Sequence, residues 1–221
     1  ACSCHASRGR IVSGSTYTGT GIREAQPASS TGANDAAKPC VLATAGGGED
    51  GFELLRTFVE AASESDWQAV VVSGAHCPPA DARRLERLVD EAGLVYRRFV
   101  PGLSAQFGSL DALVCMGGYN TLAEAAASGV ATVCVPRVRP RSEQLIRARM
   151  FERRGFLRVI EPRRLDAVVL RAEVQSAIEN DSDHPPEDAL DLGGARRAAA
   201  HLLEVAARGR SPYARGNGRH S

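Results

Sequence analysis

Between Leu113 and Pro136 the chain has few ways to fold. Leu113-Val114-Cys115-Met116 is a short apolar run, Gly117-Gly118 interrupts it, and a stretch rich in alanine then runs to Gly129. Asn120 or Thr121 is suited to cap a helix start, and glycine is the residue that most readily ends a helix in the left-handed conformation. Val130 to Val135 is a second apolar, β-branched run, and Pro136 stops it. The spacing predicts strand, glycine turn, helix and strand, joined by a connection that only a parallel crossover accommodates. Ligands of such sheets sit at the carboxyl ends of the strands, which here means Gly117-Gly118 and the helix start. Glycines let a ligand approach the backbone, and free N–H groups at a helix start favour an anion or a polyhydroxyl group. Glu124 lies three residues after Thr121, where the helix dipole favours a carboxylate that can accept hydrogen bonds from a diol. Thr121-x-x-Glu124 is also the spacing of a capping box, in which both side chains merely satisfy orphan N–H groups. Taken alone, these residues favour the cap; the wider context reverses that preference.

The rest of the chain supplies context. Its 221 residues are enough for one large domain or two small ones, and 43% hydrophobic with 24% charged residues is ordinary for a soluble globular protein. A net charge of +1 gives no reason to invoke nucleic acid or an anionic membrane. No apolar run approaches the ~20 residues of a membrane span, and the amino terminus lacks the apolar core of a signal peptide, so a soluble, cytoplasmic protein is expected. Cys115 and Cys134 fall inside strands expected to be buried and Cys40 starts another, where cysteine acts as a small hydrophobe. Cys2-x-Cys4-His5 is spaced too tightly for ordinary zinc chelation, and no second ligand pair follows. Neither a metal nor a cofactor is expected.

Residues 1–39 are rich in Ser, Thr, Gly and Ala and read as a flexible linker or the remnant of an interdomain segment, and 208–221 as a disordered tail. From residue 40 the pattern alternates. Val41 to Ala45 is an apolar strand followed by Gly46-Gly47-Gly48. A helix from about Glu49 to Ala62 puts Phe52, Leu55, Phe58 and Val59 on one stripe, with Glu49 and Asp50 at its dipole-favoured start. Gln68 to Val72 is a strand, Asp81 to Ala92 an amphipathic helix ended by Gly93, and Leu94 to Val100 a strand ended by Pro101. A helical turn around Leu103 to Phe107 precedes the stretch described first. A helix from Ser142 to Arg154, a strand from Leu157 to Ile160, a helix from Leu165 to Ile178 and a helix from about Ala195 to Ala207 complete the chain. This alternation predicts an α/β fold, a doubly wound, Rossmann-like parallel sheet over residues 40–180 within one domain of residues 40–207.

Taken together, Gly46-Gly47-Gly48, Gly117-Gly118-Tyr119-Asn120-Thr121-Leu122-Ala123-Glu124, the run from Ala126 to Pro136, and Glu143-Gln144 resemble the carboxyl-terminal, donor-binding half of GT-B glycosyltransferases of family 28. The peptidoglycan UDP-GlcNAc transferases belong to that family. The resemblance covers residues 40 to about 205. It implies a UDP-sugar donor, with transfer of a hexosyl or N-acetylhexosaminyl group. By position, Glu124 matches the acidic residue that grips the ribose hydroxyls. Thr121, Asn120 and the Gly117-Gly118 backbone fall where the family meets the donor's diphosphate or sugar, and Gly46, Gly47 and Gly48 match the glycine loop beside the diphosphate. Gln144 matches a glutamine that reads sugar hydroxyls, and Glu143 stands where some members have a second glutamine. Val100 falls where a backbone amide and carbonyl pair with uracil. Arg23, in Thr18-Gly19-Thr20-Gly21-Ile22-Arg23, echoes an arginine that faces phosphate.

The chain also departs from that pattern. The first glycine loop continues as Glu49-Asp50-Gly51, and two carboxylates beside a diphosphate repel it unless they point outward or hold a metal. Arg137, Arg139 and Arg141 follow Pro136 on the ligand edge and are candidate phosphate donors, or else a solvated loop. The resemblance further implies an amino-terminal acceptor domain with the catalytic base. Residues 1–39 are too few to form one, so an acceptor domain or a partner subunit is expected elsewhere. Any membrane association would run through that partner.

Other residues suggest less. His76, beside Cys77-Pro78-Pro79 at a strand end, is a candidate base or sugar contact, though a surface turn accounts for it better. Ser73 and Ser104 lack a nucleophile elbow and a His–Asp partner. Trp67 is expected to pack, and the arginines on helices read as solvated faces. A UDP-sugar 2-epimerase shares the architecture but calls for more acid/base residues than His76. A donor-binding subunit acting with a partner chain is a second alternative. A dinucleotide oxidoreductase is disfavoured, because the first loop lacks Gly-x-Gly-x-x-Gly spacing.

Overall fold

The computed structural model describes residues 38–140, 142–180 and 193–207. They fall into two compact units, divided between positions 187 and 188. In the first unit, β1 (Cys40–Thr44), β2 (Gln68–Val72), β3 (Val95–Arg97), β4 (Ala112–Cys115), β5 (Thr132–Cys134) and β6 (Arg158–Val159) form one sheet in the order β3-β2-β1-β4-β5-β6. All five pairings are parallel. The chain builds outward from β1 to β3, then returns to the other side of β1 and builds outward again. The order therefore reverses between β1 and β4, and that crevice is where α/β sheets of this type bind ligands.

The four inner strands β1, β2, β4 and β5 are buried on both faces, so their residues divide between two cores by the period of two. Val41, Ala43, Val71, Val114 and Val133 face one core with Leu55, Phe58, Leu85 and Leu170. Leu42, Val70, Leu113, Cys115 and Cys134 face the other with Phe107, Leu122 and Ala148. The first core is covered by α1 (Phe52–Ser63), α2 (Pro79–Glu91) and α5 (Ala167–Glu179). The second is covered by a 3-10 segment (Leu103–Ser109), α3 (Tyr119–Ser128) and α4 (Glu143–Glu152). Trp67 packs as expected: its ring stacks on Phe58 with centroids 6.4 Å apart, and its Nε1–H donates to Gln175 Oε1 at 3.4 Å. The second unit contributes α6 (Gly194–Ala207), close to the helix expected there.

Three boundaries differ from expectation for local reasons. Helix α1 starts at Phe52, with Gly51 as N-cap, so Glu49 and Asp50 belong to the preceding turn. That turn folds so tightly onto β1 that a Cβ at Gly51 would lie 2.0 Å from Ala45 Cβ. Strand β3 ends at Arg97, and Gly102, with φ 64°, turns the chain into the 3-10 segment. Helix α3 starts at Tyr119, earlier than Asn120 or Thr121 could have capped it. Gly118 is its N-cap, and no side chain caps it. The capping box is thus absent: Thr121 and Glu124 lie inside the helix, and Gly118 takes the cap position because Gly117, at φ 81°, turns the backbone one residue sooner. Gly129 ends α3 at φ 66°, as its spacing predicts.

Candidate functional site

At the carboxyl ends of β1 and β4 lie two adjoining cavities of about 380 and 300 Å³. Thr44, Gly46 and Thr121 line both, so they form one continuous surface across the crevice. Thr121 is central. A Cβ placed on Gly46 would lie 3.9 Å from Thr121 Oγ1, and one on Gly118 would lie 3.8 Å from it, so the hydroxyl stands between the two glycine turns. Gly46 N–H is held by Thr44 Oγ1 at 3.2 Å.

The larger cavity collects Gly46, Gly47, Gly118, Asn120, Thr121 and Gln144. The smaller collects Val100 and Glu124, with Phe99 and Phe107 as apolar walls. Eight residues singled out in the sequence thus converge from five loops and helices, with Gly46 and Thr121 common to both halves. The first intrahelical bond of α3 runs from Leu122 N–H to the Gly118 carbonyl at 3.0 Å. The N–H groups of Tyr119, Asn120 and Thr121 therefore precede the helical ladder, and these three residues line the larger cavity, a setting that suits an anion.

Gly48, Gly117 and Glu143 do not line these cavities. Gly48 is buried at φ 96°, and a Cβ on it would come within 2.3 Å of the Ser73 carbonyl oxygen. It lets the β1 turn pack on the β2 turn, where Gly74, at φ 99°, leaves the same lack of room against Gly46. Gly117 is buried above Cys134, whose Sγ a Cβ would approach at 3.0 Å, and its carbonyl accepts from Arg147 Nη1 at 3.3 Å. Glu143 is exposed in the first turn of α4. Arg23 and Arg141 lie outside the described residues, as do Cys2, Cys4 and His5.

Charge is arranged in a way the sequence did not reveal. Arg137 lines the larger cavity and its Nη1 donates to Asp50 Oδ2, so one carboxylate of the Glu49-Asp50 pair is matched. The backbone N–H of Arg137 donates to Gln144 Oε1 at 3.1 Å, which ties the loop after β5 to the start of α4. Arg139 points to a neighbouring groove of about 710 Å³, lined mainly by apolar residues such as Leu54, Val135, Val138 and Leu165, that shares Asp50, Met116 and Arg137 with the larger cavity. His76 is exposed and lines neither cavity, although its backbone N–H donates to Gly47 O at 2.8 Å. Ser73 is buried, with its hydroxyl 2.9 Å from Tyr96 Oη, and serves packing. The thiols of Cys115 and Cys134, paired in register on β4 and β5, lie beneath Gly117. The hydrogen bond that the Cys134 thiol donates to Cys115, together with burial, pushes it well above its usual range, which keeps it protonated and inert.

Sequence reasoning missed Thr44, Met116 and Tyr119 as cavity walls. Thr44 and Met116 carried a signal in standing at strand ends. Tyr119 carried none, since only the early helix start turns it outward, where Arg147 lies over its ring at 5.4 Å. Among the described residues no group of three His, Cys, Asp or Glu side chains is placed to hold a metal ion, and no helix is long and apolar enough to cross a membrane.

An open crevice at the reversal of an all-parallel sheet, bordered by glycine turns and a helix start that no side chain caps, defines a Rossmann-like domain, and sheets of this type bind ligands in that crevice. Its fold is that of GT-B glycosyltransferases of known structure. The calicheamicin glycosyltransferase CalG4 matches at TM-score 0.58 and 22% identity, over 77% of this chain and 44% of that one. MurG of Acinetobacter baumannii matches at 0.55 and 17%, over 79% of this chain and 54% of that one. The glycosyltransferase VinC, solved in complex with DTDP, matches at 0.50 and 24%, over 79% and 43%. The chain therefore spans about half the length of these proteins. By sequence it matches no family model and no curated protein.

Proposed function

We propose that the chain is the donor-binding half of a glycosyltransferase that takes a UDP-sugar and transfers a hexosyl or N-acetylhexosaminyl group. The observation that carries this reading is the pair of adjoining cavities joined at Thr44, Gly46 and Thr121, with Glu124 at one end and Gln144 at the other. The base occupies the smaller cavity against Val100, and the Glu124 carboxylate accepts from the ribose hydroxyls at its edge. The diphosphate crosses between the Gly46-Gly47 turn and the start of α3, and the sugar reaches Gln144. As the glycosidic bond breaks, negative charge grows on the leaving diphosphate. The N–H groups at the start of α3 are positioned to stabilise it, which is catalysis by preorganised dipoles. The acceptor and the base that activates it come from a second domain or a partner subunit.

Calorimetric titration with UDP, UDP-GlcNAc, dTDP and NAD, repeated on Glu124→Ala, tests this. UDP and UDP-GlcNAc should bind, and Glu124→Ala should weaken them by about 1 to 3 kcal/mol, the range for a hydrogen bond to a charged group. dTDP lacks the 2′-hydroxyl, so it should lose less from the substitution. The reading fails if no nucleotide binds, or if Glu124→Ala leaves every affinity unchanged.

A further inference from the structure

We propose that Arg137 is the residue that recognises the second phosphate of the ligand and that Asp50 holds its guanidinium in reserve, so that a diphosphate binds by displacing one anion from a shared cation. The proposal rests on the reading of the site as one for a nucleoside diphosphate. Among the described residues Arg137 is the one cationic side chain lining the larger cavity, whose wall also carries Glu49 and Asp50. Two carboxylates against one guanidinium leave that wall net negative. An incoming diphosphate is therefore repelled unless Arg137 changes partner.

The pair is built to exchange. Both side chains are substantially solvent-exposed, at 38% for Arg137 and 50% for Asp50, so their ion pair is weak and readily broken. The Arg137 backbone does not have to move, because Gln144 fastens its N–H. Asp50 engages Nη1, while Nε–H is buried without an acceptor. A guanidinium presents its two Nη groups as a fork that fits two phosphate oxygens at once, so a phosphate can make a bidentate contact where Asp50 engages Nη1. A ligand without a second phosphate gains nothing from this exchange, and the site thereby separates nucleoside diphosphates from nucleosides.

The test is calorimetry at low ionic strength on the full chain and on Asp50→Asn, Arg137→Met, Arg137→Lys and the Asp50→Asn/Arg137→Met double variant, with UDP, uridine and inorganic pyrophosphate as probes. Asp50→Asn should tighten UDP and pyrophosphate about three- to tenfold, and Arg137→Met should weaken them about tenfold or more. Arg137→Lys, which keeps the charge and loses the fork, should fall between. The double variant should behave as Arg137→Met, and uridine should bind every form within about twofold, which also reports an intact fold. Pyrophosphate that binds all forms alike, binds none, or binds Asp50→Asn more weakly overturns the proposal. If pyrophosphate follows the expected order while UDP and uridine bind no form, the ion-pair exchange stands and the nucleotide reading falls.

Discussion

The side-chain oxygen of Gln144 accepts the backbone N–H of Arg137 at 3.1 Å, so a residue in the first turn of α4 sets the loop that follows β5. The Gln144 amide nitrogen remains on the side chain that lines the larger cavity. Gln144→Ala removes the loop anchor together with the proposed sugar contact. Loss of the anchor should weaken both UDP and UDP-GlcNAc, and UDP-GlcNAc should lose about a further fivefold, as the loss of one neutral hydrogen bond predicts. Equal losses for both ligands in titration would place Gln144 away from the sugar.

Gly48 and Gly74 act on the site through packing. Both have positive φ, and a Cβ on either would come within 2.3 Å of a backbone carbonyl oxygen. Gly48→Ala or Gly74→Ala should each cost about 2 to 4 kcal/mol in urea unfolding, because strain and overlap add. Gly93 has φ 67° but nothing within 4 Å of a Cβ, so Gly93→Ala should cost only the backbone strain of about 1 kcal/mol.

Phe58 is fully buried in the core under α1 and stacks on Trp67, the one tryptophan in the chain. Phe58→Ala should destabilise the first unit by about 3 to 5 kcal/mol and shift the Trp67 emission to the red as water reaches the ring. An unchanged emission maximum would contradict this packing.

Glu161 accepts from Arg149 Nη2 at 2.8 Å and lies 2.7 Å from Arg163 Nη2, and the Arg149 hydrogen bond followed by the Arg163 charge holds its carboxyl below the usual 4.5. Because the folded state has the lower value, the stabilisation is complete above about pH 4.5 and disappears as pH falls through the folded value. Arg149→Met should therefore lower the urea midpoint at neutral pH, and the gap from the parent should narrow at about pH 3. A gap that is the same at both pH values would assign the effect to lost packing instead of charge.

Much of the architecture is legible in local pattern. The apolar runs at Val41, Val70, Leu113 and Val133 read as strands because residues buried on both faces leave no polar alternation, and Gly129 marks the end of α3 because few other residues accept its φ of 66°. The start of α3 is not legible in the same way. Thr121-x-x-Glu124 satisfies the capping rule, yet the helix begins at Tyr119 because Gly117 sits over Cys134 and turns the chain earlier. The three glycines after β1 look alike in sequence, but Gly46 and Gly47 line the cavity while Gly48 packs on Ser73.

Strand, helix and turn follow from neighbours a few residues apart, so the sequence by itself determined the parallel α/β alternation and the strand ends where a ligand would lie. Which side chains meet there depends on contacts that no spacing rule spans. Asp50 and Arg137 are 87 residues apart, and Thr121 reaches Gly46 from the far side of the sheet's reversal point. The sheet order β3-β2-β1-β4-β5-β6 sets β1 beside β4 and brings these residues together. That order is decided by how the two cores pack, a balance struck over the whole domain and therefore visible only in the tertiary structure.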